Sequence, residues 1–198
     1  MIFQFPDGTP ISSPTGVHGL FYFPNIVPLN LSKRVEEFLA SPVNEWFPVG
    51  KTENSRKVLQ YGFYYDYMSG STKRTAPPFP DLIKELRDVV DTADIVDSVR
   101  LNQCIINAYK PGQGISAHTD SLQYGSYVCC FTFGSGAEME FCDGEEVVRL
   151  YTEPNSLYIM KDDARYRWKH EMKSRKSDIV DGKKISRGER ISVTFRIA

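Results

Sequence analysis

His118 and Asp120 stand two residues apart at the end of Asn107-Ala-Tyr-Lys-Pro-Gly-Gln-Gly-Ile-Ser-Ala-His-Thr-Asp120. Residues i and i+2 of an extended strand point to the same face. An imidazole nitrogen and a carboxylate oxygen can therefore meet one metal ion. This is two thirds of a 2-His-1-carboxylate facial triad, the arrangement that holds non-haem Fe(II) and keeps coordination positions open. The third ligand has to be a distant histidine, and the chain has only His18, His118 and His170. His170 lies in a strand-like stretch well downstream. His18 lies in a Pro/Gly-rich N-terminal segment and is the weaker candidate.

The last stretch carries the second chemical signal. Arg190-Ile-Ser-Val-Thr-Phe-Arg-Ile alternates without a fault. Ile191, Val193, Phe195 and Ile197 face one way, into apolar packing. Arg190, Ser192, Thr194 and Arg196 face the other. Two arginines on an inward face demand anionic partners, because a buried, unpaired guanidinium is very unfavourable. A dicarboxylate ligand would supply them. On an ideal strand their Cα atoms stand roughly 20 Å apart, so both reach one small ligand only if their side chains lean together. On an exposed edge, both would simply be solvated.

The rest of the chain must position these groups. Its 198 residues are 41% hydrophobic, 25% charged and 13% aromatic, with a net charge of −1. That composition fits one soluble globular domain over 1–198 and does not announce a nucleic-acid binder. No apolar run is long enough to span a bilayer, and the N-terminus lacks a secretory pattern. Cys104, Cys129, Cys130 and Cys142 form no Cys-x-x-Cys pair and read as reduced thiols of a cytoplasmic protein, or of a nuclear one. Charge is uneven, however. From Lys161 to Arg190 there are eleven Lys/Arg against six Asp/Glu, an excess of five. Such a surface can bind phosphates, or can be a solvated loop.

Two helices precede a run of strands. The first is expected after Asn30 as N-cap, with Leu31, Val35, Phe38 and Leu39 on one face, ending at Ser41-Pro42. The second runs from Pro80 to Val90. Strands are expected at 100–109, 117–120, 127–133, 138–142, 146–151, 156–160, 165–170 and 190–197, after an early one at 19–23. The pattern is α+β, mainly β, with flanking N-terminal helices on a jelly-roll core of about 100–198. Between them, 44–78 mixes Trp46, Tyr61, Phe63, Tyr64, Tyr65 and Tyr67 with Arg56, Lys57, Lys73 and Arg74. Tyr61, Phe63, Tyr65 and Tyr67 alternate as on one strand face. Aromatics with cations suit a single-stranded nucleic-acid surface, and 44–78 is read as a substrate lid. A hairpin packing its aromatic face into the core fits the same pattern.

Each piece alone is weak. In this order, Asn107-x-Tyr109, His118-x-Asp120, His170 and Arg190-x-x-x-x-x-Arg196, the chain resembles the AlkB family of Fe(II)/2-oxoglutarate dioxygenases. The match is dense from about residue 100 onward and looser over 54–67. The resemblance implies a double-stranded β-helix, with Fe(II) held by His118, Asp120 and His170, and 2-oxoglutarate and O2 as co-substrates. It implies that Asn107 and Tyr109 hydrogen-bond 2-oxoglutarate, that Arg190 pairs with its distal carboxylate, and that Ser192 and Arg196 line the pocket.

Asn-x-Tyr-x-Pro-Gly-Gln-Gly-Ile-x-Ala-His, Glu138-Met-Glu-Phe and Arg165-Tyr-Arg-Trp-x-His look most like the branch that hydroxylates a modified wobble uridine in tRNA. The resemblance points to RNA as the partner, with Arg56, Tyr61, Tyr65 and Leu122 as candidate substrate contacts. Leu122 stands where alkyl-base repair members usually carry an acidic residue. Oxidative N-demethylation of alkylated DNA or RNA, and hydroxylation of a protein, are the alternatives. The chain, expected to be monomeric, has no room for RNA-recognition and methyltransferase domains. A partner methyltransferase or RNA-binding protein is therefore a further expectation.

Overall fold

The computed structural model describes residues 15–50, 55–67, 70 and 74–198. Lys73 of the aromatic segment lies outside these residues. The chain begins with β1 (Leu20–Phe23), α1 (Leu29–Ala40), β2 (Phe47–Pro48), β3 (Lys57–Tyr61) and α2 (Asp81–Asp88). It continues with β4 (Gln103–Tyr109), β5 (Ile115–His118), β6 (Val128–Gly134), β7 (Ala137–Asp143), β8 (Glu146–Thr152) and β9 (Leu157–Met160). It closes with α3 (Asp162–Tyr166), β10 (Lys169–Met172), β11 (Ser177–Val180), β12 (Lys183–Ser186) and β13 (Arg190–Arg196).

A seven-stranded sheet runs in the order β1-β9-β6-β13-β4-β3-β2 and faces a four-stranded sheet, β5-β10-β7-β8. This is the expected jelly roll. Strand alternation gives the large sheet two faces. One face packs Ile106, Phe131, Val193 and Phe195 against Leu31, Val35, Ile83 and Leu86 of the two helices. The other turns Tyr109, Cys130, Tyr158 and Met160 towards Met139, Phe141 and Met172 of the small sheet. The site lies between the sheets. Cys104, Cys129 and Cys130 are buried and all four thiols are free.

Four local expectations are corrected. The first helix begins at Leu29 behind Pro28, whose carbonyl accepts the Ser32 N–H at 2.9 Å, so Asn30 lies inside it and is not the cap. Proline fixes the entry dihedral and leaves the carbonyl available, which the Asn30 signal masked. The strand carrying Tyr61 stops there. Gly62 follows at φ +78°, and a Cβ on it would collide with the Asn102 carbonyl. Tyr61, Phe63, Tyr65 and Tyr67 therefore do not share a strand face. Residues 165–170 are not one strand: α3 ends at Tyr166 and β10 starts at Lys169. Finally, the basic stretch is not a single loop: it carries α3, β10 and the β11–β12 hairpin, which turns at Asp181 and Gly182, both at positive φ.

Candidate active site

Three elements bring the ligand set together. His118 ends β5 and pairs in register with His170 of β10, so two histidines meet across one ladder. Their ring centroids are 4.3 Å apart. Asp120 sits two residues beyond His118, with Oδ1 3.8 Å from His118 Nε2. One donor atom from each of the three lies within 4.8 Å of the others. His118 Nδ1 sits 2.8 Å from the Ser116 carbonyl. With a proton on Nδ1, that bond leaves the Nε2 lone pair for a metal. His18 is excluded from the set: it is exposed and sits 3.3 Å from Asp163.

Electrostatics prepare the set. Burial pushes Asp120 towards the acid form. The Arg196 guanidinium overrides it and holds the carboxyl well below the usual carboxylate range. Burial pushes His170 down to about 4, which keeps its imidazole neutral. An anionic carboxylate and a neutral His170 imidazole suit Fe(II).

The register of β13 places the rest. Arg190 is opposite Tyr109, Ser192 opposite Asn107 and Arg196 opposite Gln103. One cavity between the sheets is lined by Asn107, Tyr109, Arg190, Ser192 and Arg196 together with the three ligands. Arg196 is committed to Asp120. Arg190 pairs with no carboxylate among the described residues. Its Nη2 donates to Thr132 Oγ1 at 3.0 Å, while its Nε is buried with no partner among the described residues. An orphaned guanidinium N–H on an arginine that lines a polar cavity suits a ligand carboxylate, as a 2-oxo diacid supplies.

An outer cleft of about 320 Å³ opens beside this cavity, lined by Arg56, Tyr65, Tyr67, Tyr124 and the His118–Asp120 segment. Arg56 Nε donates to Asn107 Oδ1 at 3.0 Å and so links the two spaces. Tyr65 stands edge-on to Tyr67 at 5.0 Å. Tyr61 does not reach the cleft: it pairs with Cys104 and packs on the helix side of the large sheet. Leu122 does not line it either, and is 80% exposed. Both had been expected to touch substrate. Gly62 breaks the alternation that would have carried Tyr61 round. Leu122 points outward from the turn after Asp120.

Tyr124 and Thr132 complete the site and belong to no quoted motif, while Tyr67 and Arg165 stand in quoted stretches that did not disclose their roles. Arg165, 1% exposed, donates to the Asp120, Ser121, Tyr124 and Gly125 carbonyls at 2.7–3.2 Å. It fixes the turn behind the Asp120 ligand. A backbone-binding arginine has no sequence pattern of its own. Much of the basic excess is likewise used internally. Arg187 and Arg175 bind Asp178, and Lys173 binds Glu140.

A jelly roll with this triad and an orphaned arginine between its sheets defines a class of Fe(II)- and 2-oxoglutarate-dependent oxygenase. The family described as the 2OG-Fe(II) oxygenase superfamily matches residues 42–196, and the chain belongs to it. Within it the chain is of the AlkB type. It is 43% identical to protein L905 of Acanthamoeba polyphaga mimivirus, over 74% of this chain and 75% of that one. An Arabidopsis thaliana protein named Alkylated DNA repair protein ALKBH8 homolog is 24% identical, over 98% of this chain and 63% of its own. A Xenopus tropicalis tRNA (carboxymethyluridine(34)-5-O)-methyltransferase is 29% identical over 71% of this chain. The alignment spans only 23% of that protein. The structure of OsALKBH1 superposes at TM-score 0.69 and 15% identity, covering 91% of this chain and 97% of that one. A Pseudomonas putida prolyl-4-hydroxylase superposes at 0.60 and 13%, covering 92% and 94%. The family's chemistry uses Fe(II), 2-oxoglutarate and O2, and the donor set fits all three. No helix among the described residues is long and apolar enough to cross a membrane.

Proposed function

We propose that the protein oxidises a C–H bond on a nucleobase substituent in RNA, with a modified wobble uridine of tRNA as the favoured target. The observation carrying this reading is the outer cleft. Three tyrosines and Arg56 wall it directly beside His118 and Asp120. Flat aromatic walls with a cation suit a single-stranded or flipped base and its phosphate. The wobble-uridine motifs and the names of the tRNA-modifying relatives support the choice of RNA.

His118, Asp120 and His170 hold Fe(II). Arg190 takes the distal carboxylate of 2-oxoglutarate through its unpaired Nε, and Asn107, Tyr109 and Ser192 bound the same cavity. Bound iron and co-substrate supply the O2-activating chemistry, with succinate and CO2 as by-products. The protein's own tasks are orientation and exclusion of water. Arg196 and Arg165 fix Asp120 and its turn. Tyr65 and Tyr67, from the 44–78 segment, cover the cleft.

The test is mass spectrometry of nucleosides. Protein with Fe(II), 2-oxoglutarate and ascorbate is incubated with tRNA from cells lacking the gene, beside a His118→Ala control. A new hydroxylated wobble uridine, absent from the control, is expected. Succinate without any tRNA change would discard the tRNA target. Formaldehyde release from methylated DNA or RNA oligonucleotides would then support the demethylase alternative, the activity named for the Danio rerio relative Probable RNA/DNA demethylase ALKBH6, 24% identical to this chain.

A further inference from the structure

Tyr124 is held more firmly than a cleft side chain needs to be. Its N–H donates to the Ser121 carbonyl at 3.1 Å, and its own carbonyl accepts from Arg165 at 3.2 Å. Its ring lies under the Arg196 guanidinium at 4.9 Å and beside Tyr65 at 6.0 Å. The residue is 4% exposed. Yet its hydroxyl, buried in a residue that lines the outer cleft, has no hydrogen-bond partner among the described residues. Buried tyrosine hydroxyls are ordinarily bonded, and an unmet one destabilises the fold that carries it. Phenylalanine would fill the same volume without that penalty, so packing does not explain the hydroxyl.

We propose that Tyr124 is a specificity-determining residue whose O–H donates to an acceptor oxygen on the substrate base or its substituent, beside Arg56. The cleft is polar on this side. Arg56 uses its Nε on Asn107 and sits 5.9 Å from the Tyr67 ring, and no carboxylate among the described residues pairs with it. Burial raises the Tyr124 pKa, so the group stays a donor at neutral pH. The substrate presents its oxygen from the cleft side and takes up the bond the free protein lacks. A site built to bond a substrate oxygen rejects analogues without one, because its own polar group is then left unmet.

This inference rests on the reading of the cleft as a nucleobase site, and the experiment keeps the two separable. Tyr124→Phe is compared with wild type in thermal unfolding, in 2-oxoglutarate binding with Mn(II) replacing iron, and in turnover of tRNA. The variant is expected to melt roughly 2–4 °C higher, because the unmet hydroxyl is gone. Its KM for tRNA should rise roughly ten-fold with little change in kcat, and its 2-oxoglutarate affinity should stay the same. A lower melting temperature would show a structural partner for the hydroxyl and overturn the proposal. So would an unchanged KM on whichever nucleic acid the wild type turns over. If the wild type turns over methylated oligonucleotides and not tRNA, only the tRNA reading fails, and the same KM comparison is made on the oligonucleotides.

Discussion

Arg196 forks onto Asp120, with Nε 3.0 Å from Oδ2 and Nη2 3.2 Å from Oδ1. Both groups are buried. The arginine that closes the Arg-x-x-x-x-x-Arg pair therefore finds its anion in the protein itself, while Arg190, six residues earlier, does not. The two differ in function because β13 runs past two different neighbours: the Asp120 carboxylate at one end and the uncharged Thr132 hydroxyl at the other.

Replacing Arg196 by Met should accordingly damage the metal site and the fold together. Asp120 would be left buried without its cation, a loss of about 3–5 kcal/mol in the metal-free protein. Metal affinity should fall roughly 10–100-fold, the usual effect of removing a group that orients a ligand. Denaturant unfolding without metal and Mn(II) titration measure the two effects. Normal Mn(II) affinity in the variant would show that Arg196 does not position Asp120.

Arg190→Ala should separate co-substrate from metal. The variant removes a guanidinium whose Nε is already unmet. The free protein should therefore lose little stability, whereas 2-oxoglutarate affinity should drop roughly 10–100-fold with the charge-assisted bonds. Mn(II) affinity should hold. Isothermal titration with each ligand reads both. Equal 2-oxoglutarate affinity in variant and wild type would remove Arg190 from that role.

The contrast between these arginines shows what the sequence could and could not express. The alternation Arg190, Ser192, Thr194, Arg196 placed both on the inner face correctly, because a strand has one periodicity and β13 keeps it throughout. Which anion each arginine meets depends on contacts 76 residues away for Arg196, and no local pattern encodes those. The His118–His170 pairing was legible for a different reason: three histidines left little choice. Tyr61 and Tyr65 were not separable, since the break between them is the close approach of Gly62 to the Asn102 carbonyl, forty residues on, where a Cβ would not fit. Arg165 stood in a quoted motif, but its role was not legible because its partners are carbonyls, which every residue has.

Arg165→Met should loosen the turn after Asp120. Four carbonyls would lose one shared donor, and buried acceptors without partners destabilise. A loss of about 3 kcal/mol or more is expected, with faster amide exchange over 121–125. Arg165→Lys keeps the charge but cannot fork to several carbonyls, so it should recover only part of the loss. Full recovery by lysine would mean that charge, not geometry, holds the turn.

The β11–β12 hairpin is pinned by Asp178, which accepts from Arg187 at 2.6 Å through both oxygens and from Arg175 at 2.8 Å. Burial opposes the charge, but the two guanidinium groups win and hold the Asp178 pKa below its ordinary value. A depressed carboxyl stabilises the fold above its unfolded pKa of about 3.9 and loses that contribution as pH falls through the folded value. Acidification below about pH 4 should therefore weaken the wild type and release the hairpin. Asp178→Asn should be less stable at neutral pH by about 3–5 kcal/mol, since Arg187 stays buried without its anion. Its stability should also change less between pH 5 and pH 3. Parallel slopes for the two proteins in that range would assign the acid sensitivity elsewhere.

Tyr61 and Tyr65, four residues apart, should fail in opposite ways when cut to alanine. Tyr61 is half-buried on the helix side of the sheet, so Tyr61→Ala should cost about 2 kcal/mol of stability and leave substrate KM alone. Tyr65 is held by its backbone: its N–H donates to Gln60 Oε1 at 2.6 Å and its carbonyl accepts from Gln60 Nε2 at 3.2 Å. Its ring is free to serve the cleft. Tyr65→Ala should leave the melting temperature nearly unchanged and raise the KM for nucleic acid roughly ten-fold, the effect of losing one stacking partner. The sheet explains the difference: Gly62 turns the chain from the helix side to the cleft between the two tyrosines. If Tyr61→Ala were the variant that lost substrate affinity, the helix-side packing of Tyr61 would not describe the working protein, and the aromatic segment would have to reach the base along another face.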